Sequence, residues 1–133
     1  MKYLLDTNMC IYAQKQNPSV LRHFKEHLKD GLAVSVITVG ELEYGIAKSF
    51  YPDKTRLRVE QFLTSVEILP LTREAMTVYG RICASLEKKG TPIGKMDMLI
   101  AAHALSQNLI IVTNNVREFE RVENLKIENW YEP

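Results

Sequence analysis

Long apolar runs are missing from this chain. None of its segments approaches the roughly 18 apolar residues of a membrane span, so no such span is expected across the 133 residues. Cysteine is scarce as well. Cys10 and Cys83 lie far apart and form no CxxC pair. Both are expected to be free thiols within apolar stretches, as in a reducing compartment, and no His or Asn pattern supports a catalytic cysteine. An excess of one charge is also absent. Seventeen Lys and Arg against sixteen Asp and Glu leave a net charge of +1, low for a protein that binds nucleic acid by electrostatics alone. No GxxxxGKS/T, GxGxxG or GxSxG occurs, which leaves nucleotide-fuelled chemistry and serine hydrolysis without support. The opening MKYLLDTN meets Asp6 at once. It does not read as a signal peptide, and the expected location is the cytoplasm.

What is present is ordinary for a soluble globular domain: 46% hydrophobic and 25% charged residues. The length predicts a single domain over 1–133, able to fold without disulfides or a structural metal. Strand and helix patterns alternate. Tyr3–Leu5, Ala33–Ile37, Val66–Leu69 and Leu109–Val112 read as short buried strands, with an edge strand at Lys126–Asn129. Val20, Leu21, Phe24 and Leu28 keep a helical period. A helix is expected from Thr38 to about Phe50, with Leu42, Ile46 and Phe50 on one face and Pro52 breaking it. Leu57, Phe62 and Val66 suggest another. Thr72 opens the clearest helix, carried by Met76, Tyr79, Ile82, Cys83 and Leu86 and stopped by Gly90. Met96 to about Ser106 is an Ala-rich helix. Such alternation predicts an α/β fold, a three-layer α/β/α sandwich around a central parallel sheet.

Four acids stand at the ends of these strands or at the mouths of the helices that follow: Asp6, Glu41, Asp97 and Glu118. In an open parallel sheet the carboxyl ends of the strands are where ligands bind. Carboxylates gathered there repel one another unless a cation is present, and oxygen-only donors favour Mg²⁺ or Mn²⁺. Each acid has a competing structural explanation. Asp6 suits the N-cap of the next helix. Thr38-Val39-Gly40-Glu41 fits a capping box. Asp97 can cap the helix it precedes, although a charge beside Met98-Leu99-Ile100 needs a partner. Glu118 alone would be a surface residue beside Arg117 and Arg121. Occurring together, the four point to metal-assisted phosphodiester hydrolysis. Asn114 and Asn115 could contact phosphate or shape a turn.

The matching segments LLDTN, ITVGELEYGIAKS, GTPIGKMDMLIAAHAL and IIVTNNVREFERV, with the closing LKIENW, resemble the PIN-domain ribonucleases, and within them the VapC toxins of bacterial toxin–antitoxin pairs. The resemblance covers essentially the whole chain. It implies that Asp6, Glu41 and Asp97 are the three core acids. The wider family often has Asp at the third position of its Thr-x-Asp turn, where this chain has Asn115. In the branch resembled here the turn reads TNN, and Glu118 takes the fourth place. The implied metal ligands are Asp6 and Asp97, with Glu41 and Glu118 serving a second metal or orienting water. Mg²⁺, with Mn²⁺ able to substitute, is the implied cofactor. Water as nucleophile implies 5′-phosphate and 3′-hydroxyl ends. Also implied are a homodimer, a VapB-type antitoxin that covers the site, and an RNA target, the anticodon stem-loop of initiator tRNA.

Two other readings are weaker. A haloacid-dehalogenase-type phosphatase needs DxD, and Asp6-Thr7-Asn8 lacks it. A catalytically inactive PIN-like binding module is disfavoured by the intact acids. His23 and His27 lack the HExxH context and read as a solvated face. His103 reads as a packed structural histidine. The basic sets Lys54, Arg56, Arg58 and Lys88, Lys89, Lys95 fit solvated faces or phosphate contacts equally well. Residues 118–133 carry a net −3, five Glu against Arg121 and Lys126.

Overall fold

The computed structural model describes residues 2–133. Five parallel strands form one sheet: β1 (Tyr3–Leu5), β2 (Leu32–Ser35), β3 (Glu67–Leu69), β4 (Ile110–Val112) and β5 (Lys126–Glu128), in the order β3-β2-β1-β4-β5. The chain leaves β1 toward β2 and β3, then crosses back to place β4 on the other side of β1. Tyr3 registers with Leu32 on one side and with Ile110 on the other. The strand order therefore reverses at the β1–β4 seam, the place where an open α/β sheet leaves a crevice.

Helices cover both faces. On one lie α5 (Arg73–Lys89) and α6 (Lys95–Ser106), packed on Leu4, Ala33 and Ile111. On the other, α1 (Thr7–Gln14) and α2 (Pro18–His27) enclose Leu5, Val34, Val112 and Trp130. The remaining helices are α3 (Val36–Ala47), α4 (Pro52–Leu63) and the single turn α7 (Val116–Phe119). This is the three-layer sandwich expected. Ala101, Ala102 and Ala104 of α6 are wholly buried. Small side chains there let the helix sit close against its neighbours. No helix of the described residues is long and apolar enough to cross a membrane.

Several boundaries differ from the sequence expectation. β2 ends at Ser35, and Val36 and Ile37 already belong to α3. The Ser35 hydroxyl accepts the Ile37 N–H at 3.1 Å, and this cap overrides the β-branched run. The helix ends at Ala47, and Phe50 is 97% exposed rather than aligned with Leu42 and Ile46. Pro52 opens α4 at its first position, where its missing N–H costs nothing. Leu57 is exposed and Val66 lies beyond the helix end. On α5, Met76 turns outward, while Ala75, Ile82 and Leu86 are buried. Thr72 caps that helix through the Ala75 N–H, and Gly90 ends it in the left-handed region at φ 66°. Cys10 is buried and Cys83 is half-buried, both free.

The C-terminal tail is fixed on α2. Trp130 is 1% exposed and stacks near His23 and His27 at centroid distances of 5.6 and 5.0 Å. Its indole N–H donates to Glu128, and its carbonyl accepts from Ser19. The two histidines thus flank a core aromatic rather than forming a purely solvated face. Trp130→Ala should destabilise the protein by roughly 3–5 kcal/mol, as large-to-small core changes do. Urea unfolding checks this, and a loss below about 1 kcal/mol would show that the tail packs without stabilising the core.

Candidate active site

Asp6 follows β1 directly, and its backbone N–H still donates to Val112 across the seam. Its side chain is 4% exposed. One oxygen accepts the Met9 N–H at 2.9 Å, the N-cap bond of α1. The other accepts the Thr113 hydroxyl at 2.6 Å, from the tip of β4. Asp6 thus caps α1 with one oxygen and is held to the end of β4 with the other. Burial pushes its carboxyl up to about 6. The hydrogen bonds from Thr113 and Met9 oppose that rise, and the charges of Asp97 and Glu41 add to it.

Glu41 sits on α3, six residues after its Ser35 cap. The capping box expected at Thr38 does not form, because Thr38 is already the third residue of the helix. Glu41 reaches instead to α1, where the Thr7 hydroxyl donates to its Oε1 at 2.5 Å. The Thr38 hydroxyl lies 3.2 Å from that of Thr7.

Asp97 is in the first turn of α6, behind the cap residue Gly94. It does not cap the helix. It gains from the positive end of the helix dipole. Its carboxyl is raised by burial, then by the charges of Glu41 and Glu118.

Glu118, on α7, accepts the Asn115 side-chain N–H at 2.9 Å. The Asn115 backbone N–H donates to the Thr113 hydroxyl oxygen, which in turn donates to Asp6. Asn114 is exposed and its side chain pairs with Asn129 at 3.2 Å, a turn contact outside this chain of bonds.

Four carboxylates from separate segments thus converge at the reversal of strand order. Burial first, and then the charges of neighbouring acids, raise the carboxyls of Asp6 and Asp97. Sequence reasoning missed the hydroxyl partners Thr7 and Thr113. The available signal was position: Thr113 directly follows β4 in IIVTN, and Thr7 comes one residue later, after Asp6, in LLDTN.

His103 is fully buried on α6, as expected of a structural residue. Its Nδ1 lies 2.8 Å from the Ser35 hydroxyl that caps α3. Its Nε2 has no partner among the described residues, and burial lowers its pKa. This contact ties the helix of Asp97 to the helix of Glu41.

The donor set is oxygen-only and fits a hard divalent cation. Among the described residues no three His, Cys, Asp or Glu side chains close into a ready-made metal cage.

Comparison with known proteins settles the relationship. The PIN domain family matches residues 3–125. The "tRNA(fMet)-specific endonuclease VapC" of Salmonella typhimurium is 42% identical over 130 residues, 98% of each chain. "Ribonuclease VapC2" of Haemophilus influenzae is 46% identical over 131 residues, again 98% of each. The chain belongs to the VapC ribonucleases of the PIN-domain family. Among solved structures, VapBC2 from Rickettsia felis bound to a DNA fragment from their promoter matches with a TM-score of 0.95 at 38% identity. That alignment covers 98% of this chain and 100% of the other. DNA-bound VapBC from Salmonella typhimurium gives 0.93 at 41% identity, covering 98% and 99%. PIN-domain nucleases depend on a divalent metal, and the acidic set described above suits that requirement.

Proposed function

We propose that this protein is the toxin of a VapBC-type pair, an Mg²⁺-dependent endoribonuclease acting in the cytoplasm as one PIN domain over 1–133. Convergence of Asp6, Glu41, Asp97 and Glu118 at the β1–β4 seam is the observation that carries this reading. Asp6 and Asp97 are the metal ligands, since both carry carboxyls whose ionisation the fold opposes until a cation arrives. A divalent cation there, Mg²⁺ or Mn²⁺ in its place, supplies Lewis-acid stabilisation of the charge that builds on the phosphate.

The chain's own residues do the rest. Thr113 and the Met9 N–H fix the Asp6 carboxylate in one orientation. Thr7 holds Glu41, and Asn115 holds Glu118. Those two carboxylates accept hydrogen bonds from water and orient it in line with the scissile phosphorus, or serve a second metal. Asn115 is also placed to contact the substrate, with Asn114 shaping the turn.

The substrate proposed is tRNA, cut in the anticodon stem-loop of the initiator species. Support comes from the 42% identical Salmonella relative, whose name specifies tRNA(fMet). A VapB-type antitoxin is the proposed neutralising partner, placing a basic side chain among the acids where it competes with the metal. The proposed assembly is a homodimer.

Antitoxin-free protein should be incubated with total bacterial RNA and Mg²⁺, Mn²⁺ or chelator, and the cut ends mapped. One discrete metal-dependent cut, leaving 5′-phosphate and 3′-hydroxyl ends, is expected. A cyclic phosphate would refute water as nucleophile. Folded protein that cleaves with neither metal would assign the chain to a non-catalytic binding module.

A further inference from the structure

A groove of about 200 Å³ opens between α1, α3 and α4, and Glu41 forms part of its wall. Its floor is apolar, with Leu42 and Val59 buried there. Its polar lining is unusual in kind. Lys15 and Arg58 are exposed, and neither forms an ion pair among the described residues. Arg56, two residues from Arg58, is by contrast neutralised by Glu43 at 2.7 Å and Glu60 at 3.2 Å. Gln14, also lining the groove, buries its side-chain Nε2 without any acceptor.

We propose that this groove is an RNA subsite that binds a backbone phosphate next to the one being cut, through Lys15 and Arg58. The proposal rests on the nuclease reading above and extends it to substrate positioning. The two side chains offer N–H donors and two positive charges, the complement of a phosphodiester oxygen. Glu41 belongs both to the wall of the groove and to the acidic set that acts on Asp6 and Asp97. A metal ion at the acids and the cations of the groove would therefore neutralise successive phosphates along one strand. Phosphate contacts fix register in this way without reading sequence.

The test is binding of a fluorescein-labelled single-stranded RNA of mixed sequence to the full chain in chelator, where no cutting occurs. Arg58→Gln and Lys15→Gln should each weaken binding roughly tenfold, the scale of one charge-assisted hydrogen bond. Each should also reduce the slope of log affinity against log salt by about 0.7, the value for one phosphate contact on a single strand. Arg56→Gln, whose charge is already paired, should change neither quantity. Unaltered affinity and slope in both cation variants would overturn the subsite. So would variants that keep RNA binding but lose affinity for the antitoxin, which would assign the groove to the protein partner. Wild-type protein that binds RNA in this manner yet cleaves none with metal would instead sink the nuclease reading and leave the subsite standing.

Discussion

Asp97→Asn is expected to reduce metal-dependent RNA cleavage on the order of 10²–10³-fold or more, the usual effect of losing one electrostatic contact to the reacting group. Asn keeps the size of Asp97 and its place in the first turn of α6. What it removes is one negative charge from a set in which Glu41 and Glu118 already oppose ionisation. Folding should therefore survive, and thermal stability without metal should hold or rise slightly. Cleavage assays and melting curves on the same preparation check both halves. Full activity would exclude Asp97 as a metal ligand. Collapse of the fold would show that the helix needs this carboxylate structurally.

The second large effect concerns pH and metal together. In the folded protein Asp6 titrates at about 6 instead of 3.8, chiefly because it is buried. The folded state thus holds this proton more tightly than the unfolded chain does. Stability from Asp6 is greatest below its unfolded value and is lost as pH rises through about 4 to 6, leaving a deficit of roughly 3 kcal/mol near neutrality. A divalent cation that binds the ionised site offsets the deficit by mass action. Mg²⁺ or Mn²⁺ should therefore raise the melting temperature clearly at pH 7 and hardly at pH 4.5. Asp6→Asn should flatten both the pH and the metal dependence while the fold is kept. An equal metal effect at the two pH values would detach the cation from Asp6. Unfolding of the variant would make the N-cap bond to Met9 its dominant role.

The sheet was readable because its central strands are continuous apolar runs. YLL and IIV carry no alternation, as strands covered on both faces require. α5 was readable for its length and its two caps. The α3 boundaries were not, since Val36 and Ile37 favour a strand and only the Ser35 hydroxyl turns them into a helix. The acids could be located as strand-end residues, yet their local explanations misled. Thr38 and Glu41 have the spacing of a capping box, and distance in sequence cannot reveal that Glu41 bonds Thr7 across to α1. The donors of the groove left no pattern at all. Lys15 ends one helix and Arg58 lies inside another, and only tertiary packing makes them neighbours.

The Thr113 backbone N–H donates to the Glu128 carbonyl, at the end of the last strand. The hydroxyl of the same Thr113 holds Asp6, near the beginning of the chain. The first acid is thus fixed by residues that the ribosome adds more than a hundred positions later. A nascent chain still lacking β5 has all four carboxylates but no completed support for the first of them. For an enzyme proposed to attack translation, synthesis itself then delays the weapon.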